Sequence, residues 1–233
     1  MVVLQILWTL SAAEVGTIDG GSALGENNVY FGSLALKVFA VARTTGKIVW
    51  EAAIGGSVFA SAALGSNGLV YIASVDGYLY ALRSVDGSVV WKYKTRGPMD
   101  GGPSLHAAAG MVVVGSADKM LHALNADTGA LRWTFVAAEI IRHRAAIDAA
   151  GRIIFGTTSG TVYVVSVAGD ELWRETLSGG AVSGSPALAA DGTIYQGMQD
   201  GTVYALHANG GILWTSNVNG EPSSPAVAHS GVV

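Results

Sequence analysis

The chain has 233 residues, 50% hydrophobic and 13% charged, with 32 glycines, no cysteine and a formal net charge of −4. The lack of cysteine excludes disulfides, thiolate metal sites and cysteine nucleophiles, and the acidic balance argues against nucleic acid, which asks for a basic stripe. No apolar run reaches the roughly 18 residues a membrane-crossing helix needs, while abundant glycine beside β-branched residues points to short strands and tight turns.

Residues 2–8, "VVLQILW", form an apolar opening that lacks the basic start of a signal peptide. From there the same phrases return in order. An apolar pair runs into a small polar end at "VYFGS" (29–33), "VYIAS" (70–74), "VVVGS" (112–116), "IIFGT" (153–157) and "IYQGM" (194–198). A turn follows, clearest at Asp76-Gly77 and Asp200-Gly201, then an alternating run: "YLYAL" (78–82), "MLHAL" (120–124), "TVYVV" (161–165), "TVYAL" (202–206). A second turn places a glycine four residues before each later tryptophan, at Gly46, Gly87, Gly129, Gly169 and Gly210. A further segment, such as "VSGSPAL" (182–188) or "PSSPAV" (222–227), precedes the next apolar pair. Asp-Gly between alternating apolar runs is a hairpin signal, read here as a two-residue type I′ turn. No helix is predicted.

The six tryptophans are Trp8, Trp50, Trp91, Trp133, Trp173 and Trp214, at spacings of 42, 41, 42, 40 and 41. Four short strands per period of this length predict an all-β fold, a β-propeller of four-stranded antiparallel blades. The period-2 alternation excludes a helical solenoid of similar repeat. The frame predicts a single propeller domain over 1–233, with blades at about 15–50, 56–91, 97–133, 139–173 and 179–214 and an incomplete sixth blade split between 1–8 and 218–233. The chain is thus either part of a longer array or a ring closed through a thin blade. The strand 2–8 is expected to leave a gap in that blade or to pair with another copy, so self-association through open blade edges is one of the expected interactions. One blade cannot bury both its faces. A tryptophan at a fixed place on the outermost strand can cover the next blade, burying roughly 150–250 Å², so all six are assigned to interblade docking and not to a ligand.

The phrase Ala-Leu-x-x-x-x-Gly-x-x-x-Trp, as in "ALRSVDGSVVW" (81–91) and "ALNADTGALRW" (123–133), resembles the pyrroloquinoline-quinone-like (PQQ-like) propeller repeat over essentially the whole chain. The stretches "SLALKVFAV" (33–41), without an Asp-Gly turn, and "IRHRAAI" (141–147), without the usual Ser-Ser-Pro, depart from it and are expected to be locally irregular. The family includes quinoprotein alcohol dehydrogenases, the propeller lipoprotein of the bacterial outer-membrane assembly machinery, and sensor domains of bacterial kinases. The dehydrogenase resemblance implies a vicinal cysteine pair, a spare tryptophan floor and a calcium site, and this chain has no cysteine and no tryptophan outside the series. The resemblance therefore leans to the assembly propeller: a non-enzymatic scaffold, periplasmic or extracellular, with no cofactor and no metal, binding a protein or peptide on a propeller face. A quinone-dependent oxidoreductase and the ligand-sensing ectodomain of a receptor kinase are the alternatives.

One stretch breaks the small-residue pattern of the innermost strands. Arg142, His143 and Arg144 stand where other blades carry small side chains, with Asp100 at the equivalent level of the preceding blade and Glu221 before "PSSP". These five are the candidate channel-mouth contact for an anion or peptide, against an ion pair that merely fills a loop. His106, His122, His207 and His229 occur singly without ligand spacing, and His122 and His207 are expected at the surface or between blades.

Overall fold

The structure, a computed structural model, describes residues 6–226. Twenty strands form five sheets of four, each an antiparallel meander. The first holds β1 (Ala23–Leu24), β2 (Asn28–Ser33), β3 (Lys37–Ala42) and β4 (Ile48–Ala53). The second holds β5 (Ala63–Leu64), β6 (Leu69–Ala73), β7 (Tyr78–Arg83) and β8 (Val89–Lys94). The third holds β9 (Ser104–His106), β10 (Met111–Gly115), β11 (Met120–Asn125) and β12 (Leu131–Val136). The fourth holds β13 (Ala146–Ile147), β14 (Ile153–Gly156), β15 (Thr161–Val165) and β16 (Glu171–Thr176). The fifth holds β17 (Ala187–Leu188), β18 (Ile194–Gly197), β19 (Thr202–Leu206) and β20 (Ile212–Asn217). The fold is an all-β propeller. The terminal strand expected at 2–8 and the final strand begun at 222–233 fall largely outside the described residues, and residues 218–226 carry no strand.

The core lies between blades. Val38, Ala40 and Trp50 of the first sheet pack with Val70, Ile72 and Leu82 of the second, and the second meets the third in the same way through Tyr71, Leu79, Val112 and Leu124. A two-sided stack explains the burial pattern. β6 and β10 are buried at every residue, because a middle strand has a neighbouring blade on each face. The outer strands β8, β12 and β16 alternate exposed and half-buried side chains. The outer strand of the fifth sheet, β20, is exposed throughout.

The turn chemistry differs from the sequence reading. Tyr78 is paired with Ser74, so three residues, 75–77, close the hairpin. The Gly77 amide donates to the Ser74 carbonyl at 3.0 Å, and Gly77 alone takes the left-handed conformation, at φ 79°. This is a type I turn followed by a left-handed residue, not a two-residue type I′ turn. The aspartate is selected for another reason: Asp76 Oδ1 accepts the Tyr78 amide at 2.9 Å, and Asp118 and Asp200 accept the Met120 and Thr202 amides in the same way. The equivalent left-handed position is Leu36 in the first blade and Lys119 in the third, at φ 61° and 68°. The first blade is no more irregular at 33–41 than the others: β2 and β3 pair without a break from Asn28–Ala42 to Ser33–Lys37, and the register shift at Ala40/Val41 recurs between the third and fourth strands of every blade. The fourth blade is also regular, its β13 pairing like the two-residue inner strands elsewhere. Two short helical turns correct the expectation of none. α1 (Ala12–Val15) is started by Ser11, whose hydroxyl and amide both donate to Glu14, and a 3₁₀ turn spans Ala107–Ala109.

A leucine in the left-handed region costs roughly 1–2 kcal/mol, and part of any gain from glycine is offset by the greater freedom of the unfolded chain. Leu36→Gly is therefore expected to raise stability by about 0.5–1 kcal/mol, read as an upward shift of the denaturant midpoint. A lower midpoint would contradict this account of the turn.

Candidate functional site

Five indoles make one repeated contact. The Nε1–H groups of Trp8, Trp50, Trp91, Trp133 and Trp173 donate to the carbonyls of Arg43, Ser84, Ala126, Val167 and Ala208, at 2.8 to 3.1 Å. Each acceptor sits in the turn between the third and fourth strands of a blade. In the same turn the ring lies against the left-handed glycine: a Cβ on Gly46, Gly87, Gly129 or Gly169 would stand 2.6 to 2.7 Å from a ring atom of Trp8, Trp50, Trp91 or Trp133. Gly210 meets Trp173 more loosely, at 3.5 Å. Trp50 is 8% exposed, whereas Trp214, for which the described residues offer no such turn, is 44% exposed. These indoles are engaged by protein on their polar edge and on one face.

The channel-mouth candidates divide into two groups. Arg142 Nε lies 4.0 Å from Asp100 Oδ2, and both side chains are largely exposed. The backbone of His143 lies against Gly101, where a Cβ would stand 2.7 Å from the His143 carbonyl carbon. Burial holds the His143 imidazole below its usual range; a bond to the Val182 backbone opposes this, Arg142 adds to it, and Asp100 and Glu221 oppose it. Asp100, Arg142, His143 and Glu221 thus share one electrostatic neighbourhood. Arg144 stands apart: its Nε donates to Ser104 Oγ at 3.0 Å, on the inner strand of the third blade.

A polar chain that sequence reading placed loosely lies between the second and third blades. His122 is 4% exposed. Its Nδ1 is 3.2 Å from the Tyr93 hydroxyl of β8, and its Nε2 is 3.1 Å from Asp118 Oδ2. His207, by contrast, is exposed. The signal for His122 was available, since it occupies the position filled by Tyr80, Tyr163 and Tyr204 in other blades. Those tyrosines also bond across or within blades: Tyr80 donates to Asp76, Tyr163 accepts the Ala138 amide, and Tyr204 meets Ser178. Burial first, then the bond to Asp76, pushes the Tyr80 phenol up to about 12. The Tyr93–His122–Asp118 chain has the residue types of a proton relay, but both Asp118 oxygens also accept backbone amides, from Arg96 and Met120. It cross-links blades. Among the described residues no cluster of three or more His, Asp or Glu side chains could hold a metal ion, and no helix is long and apolar enough to cross a membrane.

The repeat geometry fits a known family. A family model described as "Outer membrane protein assembly factor BamB" matches residues 5–134, 37–179 and 158–233. The chain belongs to this family. It is 29% identical over 82 residues to the outer membrane protein assembly factor BamB of Yersinia pestis, a match spanning 35% of this chain and 21% of that relative. The crystal structure of BamB from Moraxella catarrhalis superposes with a TM-score of 0.63 at 22% identity, covering 93% of this chain and 79% of that one. The computationally designed Ika8 protein superposes at 0.78 with 17% identity, covering 89% of this chain and 64% of that one. These two structures share the propeller fold with this chain.

Asp118 carries a pH prediction for this BamB-family propeller. Burial alone would raise its carboxyl, but the Arg96 amide, the His122 ring and the Met120 amide together hold it below its ordinary value of 3.8. A depressed folded pKa gives stability that is present above the unfolded value and lost as the pH falls through the folded one. Asp118→Asn is expected to cost about 1–3 kcal/mol at pH 7, with the deficit shrinking toward pH 3, read from denaturant midpoints at both pH values. A deficit that grows in acid would contradict this assignment.

Proposed function

We propose that the protein is a non-enzymatic propeller scaffold that holds protein partners at its faces during outer-membrane protein assembly, on the periplasmic side of that membrane. The observation that carries this reading is the family match along residues 5–233, joined to a fold whose conspicuous chemical groups serve blade contacts. In this reading all six tryptophans are docking residues. The vicinal cysteine pair that a quinoprotein dehydrogenase would need has no counterpart in a chain without cysteine, so the quinone alternative has less behind it.

The mouth of the channel supplies the partner contact in this reading. Support for this reading comes from Arg142 lying 4.0 Å from Asp100 and from His143 feeling the charges of Arg142, Asp100 and Glu221, which together make a mixed-charge patch. Mixed charge of this kind sets register and partner choice more than raw affinity.

The test is capture of cross-linked partners from a bacterial envelope extract, with the wild type and Arg142→Glu compared as bait. Recovery of outer-membrane assembly components by the wild type, falling about tenfold with Arg142→Glu, is the expected result. Turnover of an alcohol after addition of the quinone and Ca²⁺, with no envelope protein recovered, would overturn the proposal.

A further inference from the structure

Among the described residues that line the two cavities beside it, Arg144 is the one cationic side chain. The surrounding positions are small or apolar: Ser22 and Ala23 in the first blade, Ala62 in the second, Ser104 in the third, Ser185 in the fifth. Two adjoining cavities of about 280 and 320 Å³ open on either side of it, one bounded by the third, fourth and fifth blades, the other by the first, second and third. Arg144 therefore lines cavities to which the inner segments of all five blades contribute.

Its orientation is fixed. Ser104 is 4% exposed. Its hydroxyl donates to the Ala145 carbonyl at 2.5 Å and accepts Arg144 Nε–H at 3.0 Å. This locks one edge of the guanidinium and leaves the Nη edge toward the cavities. Among the described residues neither Nη atom has a hydrogen-bond partner, and neither is sealed from solvent. Among the described residues no carboxylate lies within ion-pair distance of Arg144. The chain treats its other anchored arginines differently. Arg152 binds Asp148 at 2.6 Å and the Ala208 carbonyl at 2.5 Å, and Arg132 uses both Nη atoms on the carbonyls of Ala109 and Gly110. Desolvation lowers the Arg144 pKa, with no opposing carboxylate to offset it. A partly buried cation without a counter-charge is unfavourable, and a planar fork with a free edge matches a two-oxygen anion.

We infer that the pair of cavities beside Arg144 is a binding site for a small oxyanion, a carboxylate or a phosphate, held bidentately by the Nη atoms of Arg144 with Ser104 as the positioning residue. The site is chemically distinct from the charged rim at Asp100 and Arg142, and the inference does not rest on the scaffold reading. The cavities have room for a small anionic group or one peptide side chain or terminus.

The test uses the full chain in low-salt buffer, titrated separately with acetate and with inorganic phosphate and followed by calorimetry and by the Arg144 side-chain NMR resonance. Saturable binding of at least one probe is expected, with a shift of the Arg144 Nε–H signal and competition by added salt. Saturation by acetate alone identifies a carboxylate site, and saturation by phosphate alone a phosphate site. Arg144→Gln is expected to weaken binding at least tenfold, and Arg144→Lys to weaken it less, since charge remains without the fork. Should Arg144→Gln fail to fold, the wild-type resonance still decides. Absence of saturable binding, an unmoved Arg144 signal, or equal affinity in Arg144→Gln would each overturn the inference.

Discussion

Each blade of this propeller is a sheet that must be covered on both faces, and the repeated contact of an indole on a left-handed glycine is where that requirement is met. The two residues constrain one another. The turn between the third and fourth strands needs a left-handed residue, at φ 70° to 96° across the five blades, which favours glycine for the backbone alone. At Gly46, Gly87, Gly129 and Gly169 the neighbouring indole makes glycine necessary a second time, because a Cβ would fall inside the ring's contact distance. The indole N–H then reaches a carbonyl of that same turn, so the donor is paired where the ring docks. Buried middle strands such as β6 and β10 follow from this stacking.

The period was legible because it is written in a rare residue. Six tryptophans and a glycine four places before five of them lie in plain sequence order, and alternation marks the middle strands. The inner strands were harder to read: only two or three residues of each are paired, too few for a periodicity. Turn type was hidden because Asp-Gly suits two geometries. The choice between them rests on one added residue in the loop, and Leu36 and Lys119 adopt the left-handed conformation without a sequence sign. His122 could have been found by aligning the repeats, where it replaces tyrosine. What alignment could not show is its bond to Tyr93 of the preceding blade, a partner 29 residues away.

The candidate site was legible as an anomaly and not as a geometry. Arg142 and Arg144 break the small-residue pattern of the inner segments together, yet they do different things. Arg142 turns to Asp100 at the rim, and Arg144 is drawn inward by Ser104, 40 residues earlier. The Tyr93–His122–Asp118 chain, which also looks chemical, ties the second blade to the third.

The central claim is that close indole–glycine contact, and not the left-handed backbone alone, holds adjacent blades together. Comparing Gly129→Ala with Gly211→Ala by denaturant unfolding tests it most directly. Both glycines have positive φ, 71° and 85°, so both variants carry the backbone strain. A Cβ at 129 meets Trp91 at 2.6 Å, whereas one at 211 meets nothing within 4 Å. The account predicts that Gly129→Ala is the more destabilising by about 1–3 kcal/mol, the usual cost of overpacking. Equal losses in the two variants would contradict it.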